Sequence, residues 1–102
     1  MHPAIANHLA GISEICQRYG IRHLEVFGSG ARAQDFESAQ SDADFLVEFS
    51  SDSPTDLRRY YGAKTELEHL LGRPVDLIEA GAIRNPFVLA EINRHKQSVY
   101  VA

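Results

Sequence analysis

An α/β domain with helices packed on a small sheet is what this 102-residue chain predicts. Segments with apolar residues at helical spacing alternate with short segments of period two, and glycines or prolines stand between them. A second observation adds chemistry to that order. Gly28-Ser29-Gly30 closes the first strand, and Asp42 and Asp44 stand one residue apart at the start of the next. Positions i and i+2 of a strand share a face, so the two carboxylates project side by side. A divalent cation would remove their repulsion.

Ile5, Leu9, Ile12, Ile15, Cys16 and Tyr19 predict one helix from Pro3 to Tyr19, with Gly20 as a left-handed cap. Gly11 costs that helix about 1 kcal/mol relative to Ala, which points to close packing. Ile21 to Phe27 reads as the first strand, with Leu24 and Val26 on one face and His23, Glu25 and Phe27 on the other. Ala31 to Ala33 can start a short helix whose free amides face a bound anion. After the polar connection Gln34 to Gln40, the second strand runs from Asp42 to Phe49. Ala43, Phe45, Val47 and Phe49 form its core face, and Asp42, Asp44, Leu46 and Glu48 the other.

Ser53, Pro54 and Asp56 make a helix start signal, and Leu57, Tyr60, Tyr61, Lys64, Leu67, Leu70 and Leu71 carry the helix on to Gly72. The third strand runs from Pro74 to Glu79. Asp76 within it reads as a buried carboxylate, which is costly without a partner. After a loop from Gly81 to Asn85, Pro86 opens a last helix carrying Phe87, Leu89, Ala90 and Ile92 and ending near His95. Ser98 to Val101 is either a short edge strand or an extended tail.

The length suits one domain over residues 1–102. With 14 acidic and 10 basic residues the net charge is −4, which argues against gripping long nucleic acid through its phosphates. The single Cys16 forms no internal disulfide and reads as cytoplasmic. No apolar run approaches the roughly 20 residues of a membrane span. The five histidines show no metal-binding spacing.

Two readings compete for the glycine loop. Gly28-x-Gly30-x-x-Ala33, with Glu48 about 20 residues on, matches the dinucleotide-binding fingerprint. Residues 29–41, however, would have to supply two turns and a packing helix, and they are short and polar. An Asp-x-Asp pair alone also fits a turn-capping Asp42 and a solvated Asp44. The glycine loop before the pair and Asp76 after it favour three carboxylates converging on a nucleotide–metal complex.

Taken together, Gly28-Ser29 with Ala31-Arg32, then Ser41-Asp42-Ala43-Asp44-Phe45-Leu46-Val47, then Val75-Asp76-Leu77, resemble the minimal nucleotidyltransferase family of the DNA polymerase β-like superfamily. Arg84-Asn85-Pro86-Phe87 fits it too. The resemblance implies a small mixed sheet flanked by helices, the polymerase β-like nucleotidyltransferase fold. It assigns Gly28, Ser29 and Arg32 to the triphosphate, and Asp42, Asp44 and Asp76 to Mg²⁺ and catalysis, with Asp76 as a candidate general base. It implies transfer of AMP from ATP to a protein hydroxyl, with a tyrosine of a HEPN-domain ribonuclease toxin as acceptor. The chain would then be the antitoxin of a toxin–antitoxin pair. Gly30 stands where the family often has a basic residue, which takes a cation from the triphosphate, and Ala33 where it often has glycine, so that a Cβ restricts a turn needing positive φ. No metal ligand is lost, and activity is still expected.

The chain has no residues left for a second, substrate-presenting domain, so a partner protein or oligomerisation is expected to complete the site. Two alternatives stand beside protein modification. One is an antitoxin acting by surface contact alone, and the other is transfer to a small hydroxylated molecule.

Overall fold

The computed structural model describes residues 2–28, 42–50 and 57–102. Among these, α1 (Pro3–Ala6) and α2 (Leu9–Tyr19) lead into β1 (Ile21–Phe27). β2 (Ala43–Phe49), α3 (Leu57–Leu71) and β3 (Val75–Glu79) follow. A single 3₁₀ turn, Ala80–Ala82, then precedes α4 (Pro86–His95) and β4 (Gln97–Val101). The four strands make one sheet in the order β3-β2-β1-β4. β1 runs antiparallel to both β2 and β4, while β2 and β3 are parallel, so the sheet is mixed.

The antiparallel pairing of β1 with β2 settles the competition over the glycine loop. A dinucleotide-binding unit needs a parallel βαβ crossover, and no such crossover joins these two strands.

One face of the sheet holds the core. Leu24 and Val26 of β1, Ala43, Phe45 and Val47 of β2, and Val75 and Leu77 of β3 are buried there with Ile12, Ile15 and Cys16 of α2 and Ala63, Leu67 and Leu71 of α3. Strand alternation produces this division, and helix periodicity supplies the facing stripes. Gly11 lets the two helices approach closely, since a Cβ there would lie 2.9 Å from the Leu70 methyls. Gly20 adopts φ 66° and caps α2. Beside it, Arg59 of α3 donates to the carbonyls of Tyr19 (2.6 Å) and Gly20 (2.5 Å) and covers the Phe49 ring at 4.7 Å. Those contacts fasten the turn into β1.

Several expectations are corrected. The first helix is two helices, broken at Asn7 and His8, where His8 has φ −119° and ψ 16°. Asn competes with the helix through its own side chain, and His2 caps the short α1 by accepting from the Ala4 amide at 3.0 Å. β2 begins at Ala43 rather than Asp42, and β3 at Val75 rather than Pro74. Leu46 is buried despite sharing the polar face, because its strand is internal and pairs with Glu25 and Ile78 on either side. Asp76 is exposed, not buried. Its strand is the sheet edge, which leaves the carboxylate in water and removes the desolvation cost.

Leu57 and Tyr61 of α3, and Phe87 and Leu89 of α4, are exposed although they sit at apolar helical spacing. On α4 only Ile92 is buried. The tail is a strand, since β4 pairs with β1 from Val26–Gln97 to His23–Val101. The helix start signal at Ser53, Pro54 and Asp56 and the short helix at Ala31 to Ala33 lie outside the described residues.

Candidate active site

Three chain segments meet at one end of the sheet: the exit of β1 and the entrances of β2 and β3. Antiparallel register sets Phe27 opposite Asp44, and parallel register sets Asp44 opposite Asp76. Local bonds hold these entrances together. The Ala43 amide donates to the Pro74 carbonyl at 2.9 Å, tying the residue between the two aspartates to the start of β3. Glu68 of α3 accepts from the Val75 amide at 3.0 Å and from Lys64 Nζ at 3.1 Å, which anchors the residue before Asp76. The Tyr60 hydroxyl donates to the Leu77 carbonyl one residue further on.

Two neighbouring acids bear on the Asp44 carboxyl. Burial first, then the charges of Asp76 and Asp42, push the Asp44 carboxyl up to about 6. Tyr60 is held above its usual value by burial and then by the Asp76 charge, so its ring borders the same site.

Gly28 closes the site on the β1 side. It adopts φ +65°, and a Cβ there would stand 2.8 Å from Asp44 Oδ2. A side chain at this position would be strained by its backbone and would press on the carboxylate. Gly28→Ala is therefore expected to lower stability by roughly 1–2 kcal/mol, the cost of left-handed backbone with a Cβ. Displacing Asp44 should reduce nucleotidyl transfer by about a hundredfold. Chemical denaturation and a transfer assay on the same preparation check both numbers.

Among the described residues, no three His, Cys, Asp or Glu side chains form a ready-made metal cage. Mg²⁺ needs no such cage, because one or two carboxylates hold it with water and substrate phosphates completing its shell. The partly buried, mutually repelling Asp44 carboxyl is the observation that fits a hard cation here.

The structure therefore places Asp42, Asp44, Asp76 and Gly28 at one sheet end, while Ser29, Arg32, Gly30 and Ala33 lie outside the described residues. It also reveals what sequence reading missed. A cleft of about 430 Å³ opens beside Gly28, between Phe27 and the α4 residues Phe87, Val88, Glu91, Ile92 and His95. The one sequence signal was Asn85-Pro86-Phe87, a helix start that carries an aromatic. Asn85 Oδ1 accepts from the Phe87 amide at 2.9 Å and fixes that start.

A mixed sheet with acids at paired strand entrances and a positive-φ glycine beside them defines a nucleotidyl-transfer architecture. Residues 10–99 match the nucleotidyltransferase domain model, and the chain belongs to that family as one of its minimal members. It is thus an enzyme of the nucleotidyltransferase class. The chain is 38% identical over 76 residues to MJ0128 of Methanocaldococcus jannaschii, provisionally named a protein adenylyltransferase, covering 74% of each chain. It is 36% identical over 72 residues to the protein adenylyltransferase MntA of Thermococcus cleftensis, covering 71% of this chain and 69% of that one. A solved structure provisionally described as a minimal nucleotidyltransferase superposes with TM-score 0.74 at 28% identity, over 95% of both chains. A chain from the complex of a tri-AMPylated Shewanella oneidensis HEPN toxin with its MNT antitoxin superposes with TM-score 0.65. Its 13% identity, over 96% of this chain and 73% of that one, carries the fold alone.

Proposed function

We propose that this nucleotidyltransferase moves AMP from ATP to a hydroxyl of a partner protein, a tyrosine of a HEPN-domain toxin, and thereby acts as an antitoxin. The observation that carries the reading is the register Phe27–Asp44–Asp76, which sets two acids side by side next to a positive-φ glycine. The relatives named protein adenylyltransferases support AMP as the transferred group and protein as the acceptor. The shared fold with a chain of a toxin–antitoxin complex supports the partner class.

In this reading Asp42 and Asp44 would hold Mg²⁺ with the triphosphate, and Asp76 would complete the acidic set from the neighbouring strand. When bound, Mg²⁺ neutralises triphosphate charge and aligns the attacking and leaving oxygens. The Gly28 turn leaves its backbone free of a Cβ where phosphate must approach. The acceptor oxygen bonds to the α-phosphorus, the bond to the β-phosphate bridge breaks, and pyrophosphate leaves. Asp76, which is exposed on the edge strand, would take the hydroxyl proton in this reading and release it to water.

The test combines the protein with Mg²⁺, ATP labelled at the α-phosphate and a HEPN-domain partner. Label should appear on the partner, and Asp42→Ala and Asp44→Ala should each abolish it. If both variants still neutralise the toxin fully, the antitoxin acts by contact and the catalytic reading of its role fails.

A further inference from the structure

We infer that the cleft between Phe27 and α4 receives the purine ring of the nucleotide, with Phe87 as its stacking wall. The inference rests on the nucleotidyl-transfer reading above and adds the part of the substrate which that reading left without a place.

Position supports it first. Gly28 lines this cleft and also abuts the Asp44 carboxylate, so the cleft opens directly from the end of the sheet assigned to phosphate. Phe27, its inner wall, is the register partner of Asp44. A ligand with its phosphates at the acids has the cleft alongside.

Lining supports it next. Phe27, Phe87, Val88 and Ile92 supply flat or aliphatic surface, while Glu91 and His95 provide the polar groups at its margin. That composition, with a volume of about 430 Å³, is the pattern of small-ligand sites: mostly apolar walls with a few placed polar groups. Stacking is tolerant of ring identity, and Glu91 can accept from an exocyclic amino group.

Phe87 itself is the third support. It is 84% exposed, yet it is not on a loose segment. Asn85 accepts from the amides of both Phe87 and Val88, and Pro86 fixes the first turn of α4. An aromatic ring is therefore held out in water by a capped helix start. No packing role among the described residues accounts for it, whereas stacking on a base does.

The chain contains no tryptophan, so Phe87→Trp installs a single fluorophore in the cleft wall. Titrating this variant with Mg²⁺–ATP should quench its emission, and inorganic tripolyphosphate, which has no base, should not. In parallel, Phe87→Ala should weaken Mg²⁺–ATP binding about tenfold, within the range lost when a base loses its stacking partner. The same variant should leave tripolyphosphate affinity unchanged. A melting curve confirms that removing so exposed a ring leaves the fold intact.

Equal responses to ATP and tripolyphosphate in both variants would overturn the base site while leaving the phosphate and acid assignments standing. Failure of the unaltered protein to bind either ligand would overturn both readings at once. If Phe87→Ala leaves ATP affinity unchanged but abolishes capture of the HEPN-domain partner, the cleft is a protein-docking groove and the inference is wrong.

Discussion

Asp44→Asn should abolish nucleotidyl transfer and at the same time make the protein more stable at pH 7. Both effects come from one local cause. Burial and the neighbouring charges of Asp76 and Asp42 raise the Asp44 carboxyl from its usual 3.8 to about 6. Folding therefore favours the protonated form. The stability this residue contributes is complete below its unfolded value and is lost as pH rises from about 4 through about 6. At pH 7 the ionised carboxylate is a net cost.

A rise of about two units corresponds to roughly 3 kcal/mol. Partial exposure of the site reduces this to the order of 1 kcal/mol. A neutral amide of the same shape removes that cost, so the melting temperature at pH 7 should rise by several degrees. The gain should shrink towards zero as the pH falls to 4. Transfer should drop by about 10³-fold or more, because several kcal/mol of charge stabilisation depend on this ligand and each 1.36 kcal/mol is tenfold in rate. Added Mg²⁺ with nucleotide should raise the melting temperature of the unaltered protein and not that of the variant. Melting curves across pH 4 to 8 check the stability half independently of activity.

Phe45→Ala, one residue along the same strand, should do the opposite to stability. Phe45 is fully buried in the central strand β2 and is the largest of the fully buried side chains. Removing its ring leaves a cavity between the sheet and the helices α2 and α3, at a cost of about 3–5 kcal/mol. A domain of this size is stable by only about 5–15 kcal/mol, so the variant should be marginal or unfolded at 37 °C. Urea denaturation should show a large fall in midpoint with little change in slope. Adjacent residues thus serve opposite ends: Asp44 gives up stability for chemistry, and Phe45 supplies the stability that allows it.

Much of this was legible in the sequence because strand alternation is a local code. The division of β2 into Ala43, Phe45 and Val47 inside and Asp44 outside follows from period two alone. The stop at Gly28 and the cap at Gly20 follow from backbone conformations that disfavour a Cβ. Strand order is not local. Nothing near Asp76 in sequence announces that β3 is an edge, so its carboxylate looked buried and proved exposed. The apolar spacing of α4 identifies a stripe without saying what covers it, and most of that stripe faces water. The cleft escaped notice for a related reason. Phe27 and Phe87 lie far apart in the chain and come together only through the crossover from β3 to β4. The choice between strand and tail for the last residues likewise needed the pairing of β4 with β1.

The central claim is transfer of the nucleoside monophosphate, and the position of a label in ATP tests it most directly. In one reaction the α-phosphate is labelled, in the other the γ-phosphate, each with Mg²⁺ and a HEPN-domain partner. The α-label should become covalently attached to the partner while the γ-label leaves as pyrophosphate, and chelating the metal should stop both. Attachment of the γ-label to the partner, or no attachment of either label while the toxin is still neutralised, would contradict it.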